Sequence, residues 1–321
     1  MMRDDDKYKG CMIGLALGDC LGYQVEFVGS MDEIRKIHGP DGVTSLPENA
    51  IVSDDTQMTM RVARALIASK PRVGVVEGDA VLARYGTRLS AEFVEWFRSQ
   101  QDPAQARDPG NTCMAACRAL ASGKDWGNAG IAGSRGSGTA MRSAPIGLWF
   151  HEDVPNIVQY GIATAQITHA DDVARCASVA TALLCSVAMR GAPVGTWGHE
   201  LMDVVGGISD EFSTSINAAT SSVGLLSPEE ALMGGQLGDG WQGHEAVACA
   251  LYCCMSSPDD FRKAVLMAAN TPGDSDTIAC ITGALMGARL GMGAIPKEWL
   301  GRVEHEEKLL GLADALRKGN E

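Results

Sequence analysis

Two short turns near opposite ends of this sequence combine carboxylates with hydroxyl groups. They lie at residues 53–56 (SDDT) and 274–277 (DSDT), and each opens a segment with helical periodicity. The simplest interpretation is helix capping, because Ser, Thr and Asp at a helix start accept hydrogen bonds from free backbone N–H groups. The second is metal binding, since two carboxylates and a hydroxyl from each turn offer hard oxygen ligands that suit Mg²⁺ or Mn²⁺.

The chain supplies its own comparison for these turns. Residues 257–260 (SPDD) and 227–230 (SPEE) look like plain helix caps and carry no further signal. The turns at 53–56 and 274–277 differ because capping does not need their second carboxylate. Both also lead into helices rich in small residues, which suit a packed centre. These differences make metal binding a candidate, although spacing alone favours capping.

Two further features could contribute to such a site. Glu26 lies between Val25 and Phe27; it is either a half-exposed or salt-bridged side chain, or it faces the metals and orients a water. The run 133–138 (GSRGSG) lacks the preceding strand and the Gly-Lys-Ser/Thr ending of a phosphate-binding loop. It is either a flexible turn or a cradle of backbone N–H groups for a pyrophosphate.

Long segments rich in Ala, Leu, Met and Val must position these residues. Their apolar spacings are three and four rather than two, and alternating β-branched runs are almost absent, so we predict an all-α fold in a single compact domain over 1–321. The predicted helical segments include 11–22, 55–69, 79–98, 111–122, 157–166, 171–190, 228–234, 244–255, 259–270 and 276–291.

Glycine recurs every fourth residue in two of these segments. One set is Gly10, Gly14, Gly18 and Gly22, and the other is Gly283, Gly287 and Gly291. Glycine inside a helix costs roughly 1 kcal/mol relative to alanine, so its repeated use indicates that neighbouring backbones approach closely there. The segments are too short and too polar for a membrane dimer. We therefore predict tight packing of two central helices, one from each end of the chain.

Composition limits the possible partners and the compartment. Forty acidic and 27 basic residues give a formal charge of −13, which argues against salt-driven binding to nucleic acid or to an anionic membrane. The ten cysteines show no zinc spacing and read as buried reduced thiols, which fits a reducing cytoplasm. The charged N-terminus favours neither a signal peptide nor a membrane span. We expect a cytoplasmic monomer.

Four stretches together resemble the ADP-ribosylglycohydrolase family, which includes the dinitrogenase-reductase-activating glycohydrolase. They are residues 14–19 (GLALGD) continuing to Glu26-Phe27, residues 53–56, residues 136–145 with Ala140-Met141-Arg142, and residues 273–277 (GDSDT). They occur in the family's order and span nearly the whole chain. Each stretch alone is a weak signal, whereas the set is specific.

The resemblance implies an all-α fold with two Mg²⁺ ions, or Mn²⁺, at the bottom of a cleft. The metal ligands that it implies are Ser53, Asp54, Asp55, Asp274, Asp276 and Thr277. Glu26 resembles the family's metal-proximal glutamate, and the candidate catalytic groups are Glu26, Asp55 and Asp276. The substrate contacts that it implies are Asn111, Ser137, Gly138, Thr139, His169 and, on the adenine, Trp241.

The implied reaction is hydrolysis of the glycosidic bond between ADP-ribose and a modified acceptor, with an arginine side chain as the expected acceptor. Cleavage at the anomeric carbon builds oxocarbenium character and needs a positioned water; metals lower the pKa of that water while Glu26 or a ligand aspartate takes a proton. One alternative is hydrolysis of a free ADP-ribose derivative such as an ester. Another is an inactive ADP-ribose-binding member of the fold, although all four ligand aspartates are present. The substrate is thus an ADP-ribosylated protein or an ADP-ribose-containing small molecule.

Overall fold

The computed structural model describes residues 4–76, 78–233 and 235–320, and most of them are helical. The α-helices are α1 (Asp4–Gly22), α2 (Met31–His38), α3 (Asp54–Ser69), α4 (Asp79–Ser99), α5 (Asn111–Ala121), α6 (Trp126–Ala129), α7 (Ala144–Trp149), α8 (Val154–Gln166), α9 (Asp172–Met189), α10 (Trp197–Val205), α11 (Asp210–Ser222), α12 (Gly243–Ser256), α13 (Phe261–Ala269), α14 (Ser275–Leu290) and α15 (Glu306–Asn320). Single helical turns lie at Ser137–Thr139, Val194–Thr196, Glu229–Met233 and Met292–Ala294. The predicted all-α fold is confirmed.

The only regular strands in the described chain are two residues long. Strand β1 (Ile131–Ala132) pairs in parallel with β2 (His169–Ala170). This pairing fastens the glycine-rich segment to the segment that carries His169. The strands are too short for a period-two pattern to reveal them.

Helices α1 and α14 form the centre of the molecule. They run antiparallel, and the glycine positions interlock: Gly10 meets Gly287, Gly14 meets Gly283, and Gly22 meets Ser275. A methyl group added to Gly10, Gly14, Gly283 or Gly287 would overlap a backbone carbonyl of the opposite helix. The predicted tight packing of two central helices is confirmed, and it brings the C-terminal end of α1 to the N-terminal end of α14.

Other helices enclose this pair. Helix α14 also packs on α9, α12 and α13, and α1 packs on α15 and α3. Helix α9 is long and apolar enough to cross a membrane, but 89% of it is buried inside the fold. A helix that is apolar on all sides is typical of a protein core.

Some helices carry too weak a pattern for periodicity to predict them. Helix α11 buries Phe212, Ile216 and Ala219 in a sequence otherwise rich in Ser and Thr. Helix α15 buries Leu309, Ala313 and Leu316 among charged residues. Both have a narrow apolar stripe, so tertiary packing rather than composition stabilises them.

The glycine contact predicts a large effect of one methyl group. We expect Gly283→Ala to lower the free energy of unfolding by about 3 kcal/mol, because the new methyl group overlaps the Gly14 carbonyl and must push two backbones apart. Urea unfolding followed by circular dichroism measures the change.

Gly311→Ala is the matched control. Gly311 lies inside α15 with no atom within 4 Å of the added methyl group, so this change should stabilise the protein by about 0.5–1 kcal/mol. Equal unfolding free energies for the two variants would contradict the packing argument.

Candidate metal centre and ligand cleft

A cleft of about 320 Å³ opens where the N-terminal ends of α3, α5 and α14 converge. Its walls include the segment after α1, the loop before α5 and the glycine-rich segment. Of the residues predicted as functional, the following line it: Glu26, Asp54, Asp55, Asn111, Ser137, Gly138, His169, Trp241, Asp274, Asp276 and Thr277. The fold therefore brings residues from both ends of the chain into one site.

Ser53 and the following acid pair begin α3. The Ser53 hydroxyl accepts a hydrogen bond from the Asp55 amide at 3.2 Å, and it also hydrogen-bonds the Asp276 carboxylate. Ser53 thus caps one helix and touches an acid of the other turn. Asp54 and Asp55 are buried, and Asp55 Oδ2 has no hydrogen-bond partner. Capping accounts for Ser53 but leaves that oxygen free.

Asp274 behaves differently from a capping residue. It stands at the N-cap position of α14, yet its side chain makes no capping hydrogen bond. Asp274 Oδ2 accepts a hydrogen bond from the Ser137 hydroxyl at 2.6 Å instead. By contrast, Asp260 caps α13 by accepting from the Lys263 amide at 3.0 Å, and Glu230 exchanges hydrogen bonds with Ser227. The comparison turns are therefore the plain caps that their sequences predict.

Glu26 completes the acid cluster. One carboxylate oxygen from each of Glu26, Asp274 and Asp276 lies within 4.8 Å of the others, an arrangement that could hold a metal ion. Glu26 Oε2 is buried without a hydrogen-bond partner. The salt-bridge alternative for Glu26 has no support, because no cation pairs with it among the described residues.

Burial and like charge raise the pKa values of these acids. Burial raises the pKa of Glu26 to about 10, with further contributions from the charges of Asp276 and Asp274. Burial and the Asp276 charge raise the pKa values of Asp54 and Asp55 well above the usual range. Burial raises the pKa of Asp274 to about 6, and hydrogen bonds from its neighbours limit this rise.

This donor set fits hard divalent cations. Buried carboxylates that repel one another are costly unless positive charge balances them. No lysine or arginine lines the cleft in the part of the chain that the structure describes. One carboxylate oxygen of Glu26 and one of Asp55 lack a hydrogen-bond partner, and carboxylate oxygens are the ligands that Mg²⁺ and Mn²⁺ prefer.

Asp19 is a residue of the site to which the sequence analysis assigns no role. It is fully buried on α1, and its Oδ1 accepts from the Ser53 amide at 2.9 Å while its Oδ2 accepts from the Thr56 amide at 3.1 Å and from the Thr56 hydroxyl. Asp19 therefore fixes the turn that carries Asp54 and Asp55. The signal that could have identified Asp19 is its position, because a carboxylate is unexpected inside an otherwise apolar helix with glycine at every fourth residue.

The glycine-rich segment forms one wall. The Ser137 amide donates to the Trp241 carbonyl at 3.1 Å, and Gly138 packs against His169 so closely that a side chain there would collide with the ring. Thr139 points elsewhere: it is fully buried, and its hydroxyl donates to the Ala174 carbonyl at 2.7 Å. The Thr139 side chain therefore lies outside the cleft, contrary to its predicted substrate contact.

Hydrogen bonds fix the tautomer of His169. Arg142 can only donate, and it donates to the Thr168 hydroxyl at 2.6 Å. The Thr168 oxygen lies 2.8 Å from His169 Nδ1, which is the acceptor available to its proton. Nε2 then carries the ring hydrogen and faces the glycine-rich segment. Burial, together with the Arg142 charge, lowers the pKa of His169 to about 3, so the ring is a neutral donor.

Aromatic side chains form the mouth of the cleft. Trp241 is 41% exposed and stacks on Phe27, with ring centroids 5.5 Å apart and planes 20° apart. Phe27 follows Glu26, is 64% exposed and has a positive φ of 66°, which is strained for a non-glycine residue. The sequence marks Trp241 but assigns nothing to Phe27, because stacking across the chain leaves no local pattern.

Asn111 begins α5 beside the acids. The N-cap residue Gly110 has no side chain to satisfy the first amides of this helix, and Asn111, Thr112 and Cys113 line the cleft. The Gly110 amide donates to the Asp54 carboxylate. The helix start therefore directs positive potential into an otherwise acidic cleft.

The comparisons with known proteins identify the family. A model of the ADP-ribosylglycohydrolase family matches residues 2–321. The chain belongs to the ADP-ribosylglycohydrolase family. Members of this family are hydrolases that remove ADP-ribose from modified acceptors, and the resemblance drawn from the sequence is confirmed.

Relatives match over the full length of this family member. ADP-ribosylarginine hydrolase Tri1 of Serratia proteamaculans is 25% identical and aligns with 97% of this chain and 79% of its own length. ADP-ribosylhydrolase ARH3 of Mus musculus is 25% identical, with 98% of this chain and 92% of its own aligned. A solved structure, an ADP-ribosylglycohydrolase-related protein complex, superposes with a TM-score of 0.73 at 25% identity over 99% of both chains.

The raised pKa values predict an unusual pH dependence for the metal-free protein. Asp274 and Asp19, with pKa values of about 6 and about 7, bind protons more tightly in the folded state than in the unfolded chain. Their contribution to stability is present below about pH 4 and is lost as pH rises to about 7. We expect the melting temperature in EDTA to fall over this range, and Mg²⁺ or Mn²⁺ to restore it most at the higher pH.

Differential scanning fluorimetry at several pH values measures both effects. Asp276→Asn is the comparison variant, because removing this charge relieves the repulsion on its neighbours and should flatten the pH dependence. A metal-free protein that gains stability towards about pH 7 and ignores both cations would contradict the assignment.

The hydrogen bonds of Asp19 predict a positioning role. In Asp19→Asn an amide group replaces one acceptor oxygen and meets backbone donors at Ser53 or Thr56. We expect affinity for Mn²⁺ to fall by about 10- to 100-fold while the fold persists. Isothermal titration calorimetry measures the affinity and circular dichroism measures the fold.

Asp260→Asn is the control for this experiment. It changes the cap of α13, outside the cleft, and should leave the affinity for Mn²⁺ unaltered. If Asp19→Asn and Asp260→Asn bind Mn²⁺ with equal affinity, Asp19 has no positioning role in the metal site.

Proposed function

We propose that this chain hydrolyses the glycosidic bond between ADP-ribose and an arginine side chain of a modified protein, with two Mg²⁺ or Mn²⁺ ions at the acid cluster. The observation that carries the proposal is the convergence of both acidic turns and Glu26 in one cleft. The residues that would hold the ions are Ser53, Asp54, Asp55, Asp274, Asp276 and Thr277. When bound, the ions would orient the ribose hydroxyls and lower the pKa of a bound water.

Glu26 is our candidate for the proton acceptor. Its carboxylate belongs to the acid cluster, and its buried Oε2 has no hydrogen-bond partner. Bound cations would lower its pKa from the value of about 10, and the ionised group could then take a proton from an attacking water. Asp55 and Asp276 are our other candidates for this task, since both belong to the same group of buried acids. Asp19 and Ser53 hold the turn of Asp55 in place, which keeps the acids oriented.

The remaining walls suit the rest of ADP-ribose. The uncapped start of α5 and the Gly138 amide can bind the diphosphate. His169 offers its Nε2 hydrogen on the same side, and as a neutral donor it does not depend on pH above about 4. Trp241 offers an exposed ring on which adenine can stack. Asn111, at the first position of α5, is placed to contact a ribose hydroxyl.

Two observations favour arginine as the acceptor. The cleft mouth is acidic, with Asp108 held at its rim by a 2.7 Å hydrogen bond from the Tyr23 hydroxyl, and this suits a guanidinium group. The Serratia proteamaculans relative is named as an ADP-ribosylarginine hydrolase.

We also propose a cytoplasmic location, because all ten cysteines are free and buried.

Activity of alanine variants tests the metal-site residues. We expect Asp54→Ala and Asp276→Ala to lower kcat by about a hundredfold or more, because each removes an oxygen donor, while circular dichroism shows normal helix content. Asp259→Ala is the control: Asp259 is exposed, pairs with Arg289 outside the cleft and should leave the rate unaltered.

The assay follows release of ADP-ribose from ADP-ribosyl-arginine protein, and in parallel from an ADP-ribose ester. We expect EDTA to stop release from the arginine substrate and excess Mg²⁺ or Mn²⁺ to restore it. Activity that survives chelation would reject the metal assignment. Release from the ester alone would reject arginine and favour a free ADP-ribose derivative as substrate.

A further inference from the structure

A second cleft, of about 260 Å³, lies behind the loop that precedes α5. Four segments build it: one face of α3, the C-terminal end of α4, the loop at 104–107 and the chain at 304–308. The loop separates this cleft from the acidic one, since Gln105 and Arg107 face the second cleft while Asp108 and Asn111 line the first. None of its lining residues belongs to the proposed catalytic site.

The charge of the second cleft is opposite to that of the whole chain. The chain carries a formal charge of −13, yet the permanently charged residues that line this cleft are four cations and one acid: Arg61, Arg64, Arg107, Lys308 and Glu304. Arg64 and Lys308 come from different elements, so only the tertiary fold brings the cations together. The pKa of His305, which lies between them, is lowered by burial; the Glu304 charge raises it, and the charges of Lys308, Arg107 and Arg64 lower it further.

Ion pairs within the protein neutralise only some of these cations. Arg61 contacts Glu92 at 3.0 Å and Glu95 at 2.9 Å, and Arg107 contacts Glu304 at 3.5 Å. Arg64 reaches Glu92 only at 3.9 Å, and Lys308 makes no ion pair with any described residue. Two cations therefore face the cleft with their hydrogen-bonding groups available.

We propose that this cleft binds the phosphate group of a small anionic molecule. Arginine presents a planar fork that matches phosphate oxygens, and lysine adds a compact charge, so Arg64 and Lys308 together suit a dianion better than a single carboxylate. The cleft has room for a phosphate or diphosphate group with a small substituent. A polyanion such as nucleic acid is disfavoured, because the acidic chain around the cleft repels it.

The fixed loop makes the site preformed. Gln57 Oε1 accepts from Trp96 Nε1 at 3.1 Å and from Gln100 Nε2 at 2.9 Å, and Gln57 Nε2 donates to the Gln105 carbonyl at 3.0 Å. The Arg107 amide donates to Gln100 Oε1 at 3.2 Å. These bonds hold α3, α4 and the loop together around the cleft, which reduces the ordering that a ligand must impose.

Titration of the full chain with inorganic pyrophosphate in EDTA tests the proposal. Chelation removes cations that would recruit the anion to the acidic cleft. We expect saturable binding to the unmodified protein by calorimetry. Arg64→Gln and Lys308→Gln should each weaken it by about tenfold, and the double variant should lose it. Added salt should weaken binding, because the attraction is between charges.

Matched controls remove one charge elsewhere. Arg88→Gln and Lys36→Gln change exposed cations of α4 and α2 that line neither cleft, and both should bind like the unmodified protein. Melting curves identify any variant that fails to fold, and Arg64→Lys, which keeps the charge, should retain most of the affinity. The proposal is overturned if the unmodified protein shows no saturable binding at millimolar pyrophosphate, or if Arg64→Gln and Lys308→Gln bind as tightly as the controls.

Discussion

The rest of the structure depends on the direct backbone contact between α1 and α14. Glycine on both helices removes the side chains that would otherwise hold two helices apart, so carbonyl groups of one helix lie where Cβ atoms of the other would be. Because the helices are antiparallel, Gly22 at the end of α1 meets Ser275 at the start of α14. Asp19, Glu26 and the second acidic turn consequently share one end of the central pair.

That geometry concentrates negative charge where water is largely excluded. Asp19, Asp54, Asp55 and Asp276 are nearly fully buried, and the charges of Asp19, Asp54 and Asp276 each raise the pKa of at least one other acid in this group. Folding without a counter-cation thus places like charges together at a cost in stability. Close packing of the central helices offsets this cost, and a bound divalent cation would offset it further.

The family and fold followed from the sequence, and the structure adds how the parts cooperate. The glycine stripes and the helical periodicity are local patterns with a direct physical meaning, and the close central pair and the all-α fold that they predicted are present. The two acidic turns meet in one cleft, and metal binding by them stays a prediction. Thr139 was misplaced because the sequence does not show which way a side chain turns: its hydroxyl bonds Ala174 in the core. The sequence analysis missed the stacking of Phe27 on Trp241 and the hydrogen bond between Thr168 and His169. Neither contact produces a periodic pattern along the chain that would reveal it.

The sequence by itself determined the all-α class, the interlocking glycines and the oxygen chemistry of the two acidic turns, because these depend on residue type and on spacings of three and four. Only the tertiary structure decided that Asp19 braces the first acidic turn, that Asp274 bonds Ser137 rather than capping α14, and that cations from α3 and α15 meet behind the cleft. The two hydrogen bonds among these contacts join residues 34 and 137 positions apart in sequence. Their distances and directions are set by how whole helices pack, which no local pattern specifies.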